Sequence, residues 1–142
     1  MADSTAWDAA KAEYGGTVAR RHAHPHCRFQ MNSMRMHERL NTVVLDTSRT
    51  LTDELNTTPQ DMAFIGVHQV AVRDVEETYT GRFGMPRDRM ILTLSEHGNA
   101  ASASLPLQLS RALESGMAGP GDIVALMGLA AGASAGLMVL RL

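Results

Sequence analysis

Cysteine, aromatic residues and net charge are all scarce in this chain, and each shortage narrows what it can be. Cys27 is the only cysteine among 142 residues, so no internal disulfide can staple the fold. A reducing, cytoplasmic setting is the expectation. Three Phe, two Tyr and one Trp stand against ten Met, so the interior must be filled by aliphatic and thioether side chains. Methionine fills irregular core gaps, and it also suits the wall of an acyl or other apolar tunnel. Thirteen Lys and Arg nearly balance fifteen Asp and Glu, for a formal net charge of −2. No broad basic field is present to draw nucleic acid or an anionic membrane surface. The opening residues Met1-Ala2-Asp3-Ser4 have neither the basic region nor the apolar stretch of a secretory leader. What the chain does have is apolar content: 44% of its residues are hydrophobic, enough for one ordinary domain with a sizeable core.

Residues 1–28 are polar and aperiodic, and read as an irregular arm ahead of a domain spanning 29–142. From Met36 the apolar positions Leu40, Val43, Val44, Leu51 and Leu55 recur at helical spacing and stop before Asn56-Thr57-Thr58-Pro59, which predicts one long amphipathic helix. Met62 to Val67 and Met90 to Leu94 are short apolar runs that predict buried strands. Between them Val72, Val75, Tyr79 and Phe83 repeat at helical spacing until Gly84 and Pro86. Ser102 or Ser104 can cap a further helix through Leu109 and Leu113 to Gly116. Ile123 to Met127 and Leu137 to Leu142 read as closing strands around a loop from Leu129 to Ala135. Alternating strands and helices imply an α/β sheet layered with helices.

Two rival readings arise on the way. Ile123 to Leu140 is uncharged and long enough to cross a bilayer, with Gly128, Gly132 and Gly136 in a small-residue repeat. Its Gly and Ala content, its lack of an aromatic anchor and its natural split into two β-like pieces favour strands over a membrane span. The run His22, His24, His26, Cys27 has imidazole and thiol groups at a spacing that suits zinc or copper. Pro25, the flanking arginines and the lack of a second ligand cluster favour a solvated loop, and no metal is expected.

The chemistry centres on His68-Gln69 after one apolar run and Gly98-Asn99 after another, 31 residues on from His68. Open α/β sheets place ligands at the carboxyl ends of their strands. A neutral imidazole and a carboxamide there can both donate hydrogen bonds to one carbonyl oxygen, which is what a reaction through an enolate needs. Three segments occur in order: Val67-His68-Gln69-Val70-Ala71, then Gly98-Asn99-Ala100-Ala101-Ser102-Ala103-Ser104-Leu105-Pro106-Leu107, then Gly121-Asp122-Ile123-Val124-Ala125-Leu126-Met127-Gly128. Together they resemble the C-terminal half of ketoacyl synthase III-type condensing enzymes, over about Phe29 to Leu142. The wording His-Gln-Val and Val-Ala-Leu-Met-Gly resembles the branch that condenses long-chain acyl thioesters.

The resemblance implies half of a thiolase-like fold, with a mixed, mostly parallel sheet that lacks its first strand. It also implies catalytic roles for His68 and Asn99 in Claisen condensation of acyl thioesters, with acyl-CoA or an acyl carrier protein as partner and no bound cofactor. The family's acylated cysteine belongs to the other half. Cys27 sits in His24-Pro25-His26-Cys27-Arg28 and does not match its small-residue strand-to-helix elbow. A nucleophile-bearing N-terminal half or subunit, in a dimeric assembly, is therefore implied. The family's oxyanion-donating glycine loop reads Leu129-Ala130-Ala131-Gly132, which puts the backbone of Ala131 in that role; a Cβ there restricts φ and crowds the pocket. The basic carrier-docking position falls on Arg73 or, one register away, on Asp74. The family's Asn after His-Gln is replaced by Ala71-Val72, and its Thr-Ser pair by Ala100-Ala101. Two functions follow: an acyltransferase half-enzyme that is inactive alone, or a non-catalytic pairing or regulatory subunit with the same half-fold.

Overall fold

In the computed structural model, which describes residues 1–6, 8–12 and 29–142, Asn32 starts the longest element. Its side-chain oxygen accepts the Arg35 N–H at 3.1 Å and its carbonyl accepts Met36 N–H, so α1 runs Ser33–Leu55. Met36, Val43 and Val44 form the buried face, as their spacing predicts. Leu55 at the end of that pattern is 50% exposed. Asn56 closes the helix in the left-handed conformation (φ 47°). The Asp61 carboxylate then accepts both the N–H and the hydroxyl of Thr58, making a tight turn into the sheet.

β3 (Phe64–Val67) is buried at every position and pairs in parallel with β4 (Ile123–Ala130), in the register Phe64↔Val124 to Val67↔Met127. Both strands are near-continuous apolar runs because a parallel pair is covered on both faces. β5 (Ser134–Arg141) follows after only three residues, which permits nothing but an antiparallel return, and the order is β3-β4-β5. The sheet is thus mixed and layered with helices, the α/β class expected. Ahead of α1, the described residues give this sheet one bridge, Ala2 to Ser134. β1 (Ala10–Ala12) and β2 (Phe29–Met31) form a separate antiparallel ribbon.

The candidate membrane run resolves into β4 and β5, and no helix among the described residues is long and apolar enough to cross a membrane. The loop expected from Leu129 to Ala135 shrinks to 131–133, because Gly132 (φ 84°) and Ala133 (φ 51°) reverse the chain within three residues.

Three other expectations are corrected. Met90 to Leu94 is not a strand: the Gln69 side chain takes the Ile91 carbonyl and the N–H groups of Thr93 and Leu94, while the Thr93 and Leu94 carbonyls accept from the helical turn that follows. The helix after β3 is a π-helix over Asp74–Arg82, as the Phe83 N–H to Thr78 carbonyl bond illustrates, with Val75 and Tyr79 buried but Val72 exposed. In α3 (Ser104–Glu114) the fully buried face is Ser104, Gln108 and Ala112, while Leu113 is 46% exposed.

Contacts divide the described chain into two compact units. One comprises 1–46 and 129–135, with Ala6, Ala9, Ala10, Met36 and Ala133 at its core. The other comprises 47–128 and 136–142, centred on Phe64, Ala112, Ala118 and Val124. The His22-His24-His26-Cys27 run and most of the expected arm lie outside the described residues, among which no group of three or more metal-ligating side chains occurs.

Candidate functional site

His68 is the first residue beyond β3. Its N–H donates to the Met127 carbonyl at 3.0 Å, extending the β3–β4 pairing by one rung, and its carbonyl accepts the Tyr79 hydroxyl at 3.0 Å. The backbone is therefore held from both sides while the imidazole stays half-buried. Burial pushes the His68 imidazole below the ordinary histidine value of 6.5, so at neutral pH it is uncharged, with one N–H to donate. Burial, and secondarily the Asp74 charge, pushes the Tyr79 phenol far upward, so its hydroxyl remains a donor. Phe83 packs edge-on against the Tyr79 ring at 6.1 Å.

Gln69, 1% exposed, ties this strand end to the segment leading to Asn99. Its Nε2 donates to the Ile91 carbonyl at 2.6 Å, and its Oε1 accepts the N–H groups of Thr93 at 3.0 Å and Leu94 at 3.2 Å. One carboxamide thus satisfies three backbone groups within 91–94, the part a neighbouring strand would otherwise play. The short helix α2 (Leu94–His97) follows, and its Glu96 pairs with Arg111 of α3 at 2.7 Å. The Arg111 hydrogen bond holds the Glu96 carboxyl below its usual range and raises Arg111 in turn.

The chain then turns at Gly98, whose φ of 63° and ψ of −160° fall in a region essentially closed to residues with a Cβ. Asn99 is exposed, and its Oδ1 accepts the Ala101 N–H at 2.9 Å. With the oxygen engaged, the carboxamide presents its Nδ2 group as the free donor. Ala101 is itself left-handed at φ 47°.

A second buried glutamine completes the scaffold. Gln108, fully buried, accepts the Val67 N–H at 3.2 Å and donates to the carbonyls of Val67 at 2.9 Å and Ser104 at 3.0 Å. Sequence reasoning missed it. The available signal was the spacing Ser104, Gln108, Ala112, which puts a long polar side chain on the same helix face as two small residues.

The side chains of His68 and Asn99 do not bond each other directly; buried amides connect the segments that carry them. Arg73, five residues past His68, is exposed and makes an i,i+4 pair with Glu77 at 3.7 Å, an interaction of little energetic weight. Ala131 lies exposed in the β4–β5 turn. It is not among the residues with positive φ, so its Cβ brings no left-handed strain. The neutral His68 imidazole and the Asn99 carboxamide each offer an uncharged N–H, the kind of donor that suits an oxygen gaining negative charge during a reaction.

The sheet and its helices have the thiolase-type fold of the 3-oxoacyl-(acyl carrier protein) synthase III structures. Structures of 3-oxoacyl-(acyl carrier protein) synthase III from Thermus thermophilus (TM-score 0.82, 26% identity, covering 100% of this chain and 44% of that one) and Pseudomonas aeruginosa PAO1 (0.80, 23%, 99% and 42%) share it. Xanthomonas campestris OleA shares the fold at TM-score 0.81 and 19% identity. Among curated proteins, the beta-ketoacyl-[acyl-carrier-protein] synthase III of Paracoccus denitrificans is 34% identical over 128 residues, which are 89% of this chain and 38% of the relative. That of Rhodobacter capsulatus is 37% identical over 84 residues, 59% and 26%. Residues 52–142 match the 3-oxoacyl-[acyl-carrier-protein (ACP)] synthase III C-terminal family, and the chain belongs to it. It spans roughly a quarter to two fifths of the length of these curated relatives.

Proposed function

We propose that this chain is the C-terminal half of a ketoacyl synthase III-type acyltransferase and supplies the hydrogen-bond donors for Claisen condensation. The thioester carbonyl of the second substrate accepts from the His68 imidazole and from Asn99 Nδ2. As the bond to its carboxylate breaks and CO₂ leaves, or as an α-proton is removed, the electron pair passes into the enolate whose oxygen these donors face. The α-carbon then attacks an acyl thioester on a cysteine of the other half, forming the new C–C bond and expelling the thiolate. The Ala131 N–H would serve the oxyanion of that second step, and Arg73 would meet the carrier. Acyl-CoA or an acyl carrier protein brings the substrate, no cofactor is required by this chemistry, and the assembly is dimeric and cytoplasmic.

The observation that carries this reading is the orientation of Asn99: its oxygen accepts from Ala101, which leaves its amide to donate, in the loop after α2, and Gln69 ties the lead-in to α2 to the strand end that carries the neutral His68. The test is condensation by this chain assembled with a cysteine-bearing N-terminal half. His68→Ala and Asn99→Ala should each lower kcat by about 10²–10³. Unchanged turnover in both variants would leave the chain a non-catalytic pairing subunit, and turnover of a malonyl or long-chain thioester by the chain alone would refute the divided site.

A further inference from the structure

We propose that Gln108, which belongs to none of the sequence motifs, is a positioning residue that holds the His68 strand end and the Asn99 segment in register through one buried carboxamide. The inference rests on reading His68 and Asn99 as the donors of the reaction. Val67, immediately before His68, turns its backbone polar groups away from β4, since the next N–H, that of His68, is the one that meets Met127. On that open side no strand of the sheet is present among the described residues, and Gln108 supplies the missing pair of bonds: Oε1 takes the Val67 N–H and Nε2 gives a proton to the Val67 carbonyl.

The second Nε2 proton goes to the Ser104 carbonyl. Ser104 opens α3 directly after the 3₁₀ turn Ala101–Ala103, whose first N–H holds the Asn99 oxygen. Three bonds from one group therefore link the residue before His68 to the helix start behind Asn99. All the carboxamide's donors are spent, and none faces solvent. A displacement of this amide moves both donors of the site together, and small misplacements of catalytic groups cost large factors in rate.

The test substitutes Gln108→Leu, which keeps volume and removes the three bonds, beside Ser104→Ala, which alters the same buried face but leaves the Ser104 carbonyl in place. In the full chain, ¹⁵N NMR of the His68 imidazole should show a displaced resonance and a titration midpoint moved toward 6.5 in Gln108→Leu, and neither change in Ser104→Ala. In the assembled enzyme, Gln108→Leu should lower kcat tenfold or more with KM within threefold. An unmoved His68 resonance in folded Gln108→Leu overturns the proposal. A moved resonance with full turnover supports the link and instead overturns the catalytic reading of His68. Should the variant not fold, side-chain amide exchange in the wild-type chain decides. Gln108 protons must exchange far more slowly than those of exposed Gln60, and equal rates overturn the clamp.

Discussion

Replacing Gln69 by Leu removes a side chain that acts as a strand. Three backbone groups lose their partner: the Ile91 carbonyl and the N–H groups of Thr93 and Leu94. Thr93 is 2% exposed, and orphaning a donor at that depth costs about 1–3 kcal/mol. Ile91 and Leu94 are partly accessible, so water replaces some of what is lost and each contributes about 0.5–1 kcal/mol. The expected loss is about 2–5 kcal/mol, a large share of the roughly 5–15 kcal/mol typical of a whole domain. At about 4 °C per kcal/mol for a chain of this size, Tm should fall by about 8–20 °C. Urea unfolding followed by circular dichroism gives the free energy, and calorimetry gives Tm. Gln60→Leu is the control, because Gln60 is exposed and should change stability by less than about 0.5 kcal/mol. A loss below about 1 kcal/mol for Gln69→Leu, with the Thr93 amide still protected from exchange, would refute the reasoning.

Further outcomes follow from single positions. Gly98→Ala meets no atom within 4 Å, so its cost is conformational, about 1–3 kcal/mol. A thermal melt should separate it from Gly119→Ala, which has equal space and no positive φ and should be near neutral. Tyr79→Phe leaves the buried side of the His68 carbonyl without its donor and should cost about 1–2 kcal/mol by urea titration. His68 also predicts a pH dependence. Its imidazole resists protonation when folded, while the unfolded chain takes the proton near pH 6.5. The unfolded state therefore binds more protons as pH falls below 6.5, and stability drops there by at most about 1.4 kcal/mol per pH unit from this one group. Urea midpoints measured from pH 7.5 to 5 should be steeper for the wild type than for His68→Gln.

Much of the frame is legible in the residues, and what escapes has an identifiable cause. α1, β3 and β4 appear where apolar periodicity puts them, because each buries a face or a whole run. Met90 to Leu94 has the composition of a strand and starts extended at Met90, yet the backbone is already helical at Thr93, and Gln69, 22 residues away from Ile91, takes three of its backbone hydrogen bonds; no local pattern reports a side chain at that remove. Val72, Val75, Tyr79 and Phe83 signal a helix without distinguishing i→i+4 from i→i+5 bonding, so the π-helix is invisible until the backbone is seen. Hydropathy sends a glutamine to the surface, and Gln108 goes inside where it satisfies two backbone groups of Val67 and the Ser104 carbonyl. At the site, the motifs locate His68 and Asn99. That Asn99 turns its oxygen inward to Ala101 and its amide outward depends on loop geometry set by Gly98.

The most direct test of the account is the carbonyl stretch of a bound thioester, read by infrared difference spectroscopy with a ¹³C-labelled, non-decarboxylating malonyl thioester analogue on the assembled enzyme. In the proposed reaction, hydrogen bonds from the His68 imidazole and Asn99 Nδ2 polarise that carbonyl, and its band should then shift to lower frequency on binding. Most of the shift should disappear in either His68→Ala or Asn99→Ala. A band that stays shifted in both variants, with the analogue still bound, would contradict the assignment of these two residues as the oxygen's partners.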